Sequence, residues 1–316
     1  MPILDQTDYS TLSLGHPPVS RKELHIVGLE LRVYGLEEIK DSNLPIACII
    51  ATHGRGNNMD QMEPFAQGVL GEINKLKQED PPEESPEKDV ILVLLEQRNH
   101  GKRLHDPVNN QAYDKNPTHL CDMAAMIEGE ERREVGGCQD VSFVIDFLAS
   151  YLFPNGERDI VDWIATGISL GGNVTWRLLL EEPRIQFGVP LIGLPFTSLV
   201  RYLGARATKS GLSFSPPIYP PALSAIIEKP FDANPYYGKK ILSLHGQLDT
   251  LVPHSAGVED FKRIETDREI IIKTQGNVRH AVSPDMVVKV AEWVNYWVLS
   301  PQFFGLPSFT SGENGG

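Results

Sequence analysis

The chain has 316 residues, 41% of them hydrophobic and 22% charged, with a formal net charge of -13. This is the balance of a globular protein, long enough for one large α/β domain with insertions. An acidic chain without a clustered Lys/Arg stripe argues against nucleic acid or an anionic membrane surface as its main partner.

Cys48, Cys121 and Cys138 are too few and too scattered for a disulfide framework or a zinc knuckle, so no metal is expected. The opening "MPILDQTDYSTLSLGHPP" lacks the basic and apolar regions of a signal peptide. No apolar run approaches the roughly 20 residues of a membrane span. The expectation is a cytoplasmic protein with no membrane span.

In chain order, "ELHIVGLELRVYGL" reads as two short strands in a hairpin or meander. "LPIACIIATHGRGN" is a continuous apolar run ended by glycines, the pattern of a strand buried on both faces. "MEPFAQGVLGEINKLKQ" has helical spacing, and "EDPPEESPEKD", Glu79 to Asp89, reads as a surface loop. Strand and helix then alternate: "VILVLLEQRNHG", "DVSFVIDFLASYLF", "DIVDWIATGISLGG", "NVTWRLLLEE", "VPLIGL" and "KKILSLHGQLD". "GVEDFKRIE" is helical, "REIIIKTQG" a strand, and "DMVVKVAEWVNYWVL" a closing amphipathic helix; the "SFTSGENGG" tail is expected to fray. Such alternation implies a mostly parallel sheet covered on both faces.

Two segments break the alternation. One is polar, Lys102 to Gly137, with a charged helical piece "EGEERREV"; the other, Phe196 to Tyr237, is rich in Pro, Ser and aromatics. Both follow strand ends, where an open α/β sheet carries its ligand site. The second is expected to form a cap or lid inside a single 1–316 domain.

Gly167-Ile168-Ser169-Leu170-Gly171 matches G-x-S-x-G between a strand pattern and a helix pattern, the context of a nucleophile elbow; an ordinary turn is the alternative. A serine hydroxyl needs a base oriented by an acid, and in this motif class the acid and then the base follow the serine in the chain. Asp249, after "ILSLHGQL", and His280, in "QGNVRHAVSPDM", stand in that order after buried strands. A helix-capping aspartate and a surface histidine are the plainer readings of those two. None of the eight other histidines holds a matching position. An oxyanion hole is expected from the backbone N–H groups of Leu170 and Arg55, with Gly54 shaping the loop. The Arg55 side chain either binds an anionic substrate group or is solvated.

Over Glu23 to Leu299 the chain resembles the α/β-hydrolase superfamily, in His53-Gly54, the Gly167–Gly171 elbow, His245-Gly246 with Asp249 and Val252-Pro253, and His280. "HGQLDTLVP" is similar to a signature of the dienelactone-hydrolase-like and prolyl-oligopeptidase-like branches. "QRNHG" looks like their D-x-R-G-H-G segment, from which Gln97 and Asn99 depart. The resemblance implies an α/β fold with a mostly parallel eight-stranded sheet, helices on both faces and a lid-like insertion. It also implies a serine hydrolase with Ser169, Asp249 and His280 as triad, for which a carboxylesterase acting on a small-molecule ester or acyl substrate is the favoured reading. An acyltransferase or a C–C bond-cleaving or cyclising enzyme is the alternative, ahead of a peptidase and of a non-catalytic ligand-binding protein. Phe196 and Tyr202, with Phe214, Tyr219 and Tyr236, are candidates for a substrate-pocket wall. No cofactor is expected: neither a phosphate-loop nor an H-E-x-x-H motif occurs, and "GRGNNMDQ" breaks the dinucleotide spacing at Asp60.

Overall fold

A computed structural model describes residues 2–79, 87–127, 136–227, 234–264 and 269–300. Most of the Pro/Glu-rich loop, the charged piece 128–135 and the C-terminal tail lie outside them. Eight strands form one sheet: β1 (Arg21–Ile26), β2 (Leu29–Tyr34), β3 (Ile46–Thr52), β4 (Asp89–Leu95), β5 (Ile160–Ile168), β6 (Ile185–Leu191), β7 (Lys240–Gly246) and β8 (Ile270–Gln275). Their spatial order is β1-β2-β4-β3-β5-β6-β7-β8. Only β2 runs antiparallel to its neighbours. Val27 and Gly28 both have positive φ, 42° and 82°, as the tightest hairpin turn between β1 and β2 requires.

The continuous apolar strands are buried on both sides, and their side chains alternate between two cores. In β3, Cys48 and Ile50 join Val141, Val144, Trp163, Val174 and Trp176 beneath α3 (Gly137–Leu152) and α4 (Leu170–Glu181). Ala47, Ile49 and Ala51 join Phe65, Val69, Val290 and Trp293 beneath α1 (Met59–Glu79) and α8 (Pro284–Val294). Helices on both faces are therefore dictated by strands with no polar side.

Where the chain departs from simple alternation, the structure adds elements that the spacing did not announce. A single 3-10 turn, Tyr9–Ser13, lies against α1, and α2 (His119–Ile127) occupies the first irregular segment. The second holds α5 (Phe196–Lys209) and α6 (Pro221–Ile227); α7 (Val258–Ile264) follows β7 where the "GVEDFKRIE" spacing predicts a helix. β6 starts at Ile185, four residues ahead of the "VPLIGL" run.

The order β4-β3-β5 makes β3 and β5 the place where the chain reverses its direction of travel across the sheet. Loops leaving adjacent parallel strands at such a point diverge and leave a crevice. Thr52 pairs in register with Gly167, so the loop after β3 and the turn after β5 emerge side by side.

Gly68, in the middle of α1, supplies a test of this packing. A Cβ there would stand 1.9 Å from the Leu12 carbonyl oxygen and 3.1 Å from Val287 Cγ1. Alanine normally stabilises a helix interior by about 1 kcal/mol over glycine. Here Gly68→Ala is expected to lower the melting temperature, because the backbone of the Tyr9–Ser13 turn must move; a higher melting temperature would contradict the described contact.

Candidate active site

β5 runs directly into α4 through Ser169, whose φ of 56° and ψ of -105° lie outside the regions an L-residue occupies without strain. The turn is held from both sides. Ser169 N–H donates to the Leu191 carbonyl at 2.9 Å, and Gly171 N–H to the His53 carbonyl at 3.1 Å. The glycines are required by close approach rather than by flexibility. A Cβ on Gly167 would come within 2.5 Å of Thr52 Oγ1, and one on Gly171 within 2.2 Å of the Thr52 carbonyl oxygen.

Asp249 lies in the turn after β7. Its Oδ1 accepts the N–H groups of Leu251 at 2.8 Å and Val252 at 2.9 Å. Oδ2 is left to His280 Nδ1, 2.7 Å away. Burial alone would raise the carboxyl pKa, but the His280 bond and the two amides overcome it and hold Asp249 below its ordinary value. A carboxylate can only accept, so Nδ1 carries the imidazole proton and Nε2 is an acceptor. Ser169 Oγ lies 2.8 Å from that Nε2.

The His280 loop is fixed by two neighbours. A Cβ on Gly246 would meet the Arg279 carbonyl oxygen at 2.1 Å, which brings the β7 and β8 ends together. On the other side the N-terminal segment straps the loop: Arg279 N–H donates to the Leu4 carbonyl and Val282 N–H to Thr7 Oγ1, each at 2.9 Å. Other histidines are occupied elsewhere. His245 bonds Ser243 at 2.8 Å, and burial drives its pKa to about 3; His254 stacks on Phe261.

The loop after β3 completes the arrangement. Leu170 is the first residue of α4, so its N–H has no intrahelical acceptor. Among the described residues no acceptor takes the Arg55 N–H either. A Cβ on Gly54 would lie 2.8 Å from Asn57 Oδ1 and 3.7 Å from Ser169 Cβ, which measures how near the loop runs to the serine. Beneath it, the buried His53 Nδ1–H donates to the Gly54 carbonyl at 2.8 Å, its Nε2 lies 2.8 Å from Glu96 Oε1, and the Gln97 side-chain amide donates to the His53 carbonyl. Gln97, a departure from the related signature, thus braces this loop. Asn99, the other departure, has φ 59°, a conformation asparagine tolerates best after glycine.

Solved structures with this architecture include TT1662 from Thermus thermophilus, 18% identical with a TM-score of 0.59, covering 88% of this chain and 99% of its own. An acylaminoacyl peptidase from Pyrococcus horikoshii is 16% identical with a TM-score of 0.54, covering 95% of this chain, which spans 45% of that protein. Est1E from Butyrivibrio proteoclasticus, solved with ferulic acid bound, is 17% identical with a TM-score of 0.51, covering 86% of this chain and 97% of its own. The chain has the α/β-hydrolase fold. At these identities the likeness is one of fold. No family model matches the chain, and no curated protein matches it.

In this α/β-hydrolase fold Ser169, Leu170, Gly54, Arg55 and His280 border a cleft of about 250 Å³. Of the aromatics expected on its wall, only Tyr202 borders it; its hydroxyl donates to the Thr250 carbonyl at 3.2 Å. Phe196 does not. Its buried ring lies 5.0 Å beneath the Arg177 guanidinium, because the first turn of α5 packs back on α4. Phe214 and Tyr219 stack on each other, and Tyr236 is buried against Trp176. The wall is built instead by Leu199, Leu203 and Arg206 of α5, by His119 and Met123 of α2, and by Gln6, Thr7 and Tyr9. Helical spacing from Leu199 to Arg206 was the available signal for the first group; nothing local marked the N-terminal residues. Among the described residues no cluster of three His, Cys, Asp or Glu side chains is placed to hold a metal ion.

The backbone at Ser169 can be tested for stored strain. Ser169→Gly is expected to stabilise the fold by about 1–3 kcal/mol, since glycine adopts this conformation freely. Urea denaturation that found the variant less stable than the parent would contradict a strained turn.

Proposed function

We propose that the chain is a cofactor-independent serine hydrolase acting on carboxylic esters, as the dienelactone-hydrolase-like resemblance suggests. The observation that carries this reading is the unbroken chain of short contacts from Asp249 through His280 to Ser169 at the mouth of one cleft. The names of its structural neighbours, an esterase and an acylaminoacyl peptidase, agree with acyl chemistry. A small-molecule ester or acyl compound is the partner, and the 196–237 segment acts as a cap within a single domain. Three free cysteines and no helix among the described residues apolar and long enough to cross a membrane are consistent with our placing it in the cytoplasm.

In this mechanism His280 Nε2 takes the Ser169 proton as Oγ attacks the ester carbonyl carbon. Asp249 holds the imidazole in the required tautomer and stabilises the imidazolium. The developing oxyanion accepts from the N–H groups of Leu170 and Arg55; each such donor lowers the barrier by about 3 kcal/mol. The imidazolium then protonates the leaving alcohol. Water, activated by the same His280, releases the acid from the acyl-enzyme.

Ser169→Ala is expected to lower kcat on p-nitrophenyl butyrate by about 10⁴-fold or more. The melting temperature should hardly change, since no buried packing is lost. Equal hydrolysis by variant and parent would reject Ser169 as nucleophile.

A further inference from the structure

The charges around the cleft are one-sided. Arg55 and Arg206 both border it, both half-buried, and none of its described lining residues is Asp or Glu. Every other described arginine in the chain has a carboxylate oxygen no farther than 3.7 Å, from Arg21 with Glu63 to Arg279 with Asp5. Arg55 and Arg206 have none among the described residues.

Arg55 spends one N–H on the Asn110 carbonyl at 3.1 Å and reaches the acceptor Nδ1 of His119 at 3.4 Å. The Arg206 guanidinium lies 5.9 Å over the Tyr202 ring and makes no hydrogen bond to a described residue. The two cations feel each other. Burial and then the charge of Arg206 depress the Arg55 pKa, and burial together with both guanidinium charges drives His119 to about 3, so its imidazole is neutral. Holding two like charges in a partly desolvated cleft is unfavourable unless an anion joins them. In a chain of net charge -13, with its other described arginines neutralised, this pair makes a local focus for negative charge.

We propose that the cleft selects small esters that also carry an anionic oxyacid group, a carboxylate or a phosphate, bound jointly by Arg55 and Arg206. The proposal rests on the hydrolase reading above and adds its substrate class. A guanidinium presents paired donors that match two oxygens of such a group. The backbone of Arg55 belongs to the proposed oxyanion loop, so the anion sits within a side chain's reach of the reacting carbonyl. At about 250 Å³, the cleft suits a short compound rather than a long-chain lipid.

Matched substrate pairs test this. One pair is the p-nitrophenyl monoester of adipate against p-nitrophenyl hexanoate, with the charge on the acyl part. The other is 2-acetoxyethyl phosphate against ethyl acetate, with the charge on the alcohol part. At least one anionic member is expected to show kcat/KM about tenfold or more above its neutral partner. Arg206→Gln or Arg55→Gln should cut that preference about ten- to hundredfold, in line with charge-assisted hydrogen bonds. Which pair responds identifies the anion and its position. Parity within both pairs, or a preference untouched by both substitutions, would overturn the proposal while leaving ester hydrolysis intact.

Binding gives a reading independent of turnover. Calorimetric titration of adipate and of inorganic phosphate into Ser169→Ala protein is expected to show, for at least one of them, binding that weakens at least tenfold with Arg206→Gln and with rising salt. Both anions binding no better than 1,6-hexanediol would also overturn it. Loss of all ester hydrolysis together with retained anion binding would instead strike the hydrolase reading alone.

Discussion

The close approach of β3 to the β5–α4 turn is the constraint on which the site depends. Thr52 and the glycines at 167 and 171 leave no room for even one methyl group. That contact forces Ser169 into a left-handed backbone, lifts its hydroxyl above the sheet edge, and sets the Gly54–Arg55 loop beside it. A turn one atom wider would relax the serine and move the two expected oxyanion donors apart. The cost is local strain, and the packed strands on either side hold it in place.

From that fixed point the other contributions are ones of support. Two backbone amides occupy one oxygen of Asp249 and direct the other at His280; the N-terminal segment and Gly246 set the loop that carries the imidazole. Beneath the β3 loop, His53, Glu96 and Gln97 form a buried polar brace. Each group near the Ser169 hydroxyl is therefore positioned by a neighbour that is itself fixed, the condition under which hydrogen-bond donors stabilise developing charge without reorganising.

Much of this was legible in the sequence because parallel strands buried on both faces must be continuously apolar, and "IACIIAT", "VILVLL" and "KILSLHG" are. Their order, and the turn residues at their ends, bring Ser169, Asp249 and His280 to one rim. What escaped had no local signature. Tyr9 and Thr7 reach the cleft only through tertiary packing against α1 and the His280 loop. Phe196 looked like a wall because aromatics fill pockets, but the start of α5 turns its ring toward Arg177. Arg206 reads as an ordinary solvated residue until its lack of a carboxylate partner is set beside the pairing of the other described arginines.

The central claim is that Ser169 is a nucleophile activated by His280, and covalent trapping reads it most directly. Incubation with a fluorophosphonate followed by peptide mass spectrometry is expected to place one adduct on Ser169, with labelling abolished in Ser169→Ala and slowed by orders of magnitude in His280→Ala. A folded protein that stays unlabelled, or one that carries the adduct on another residue, would contradict the account.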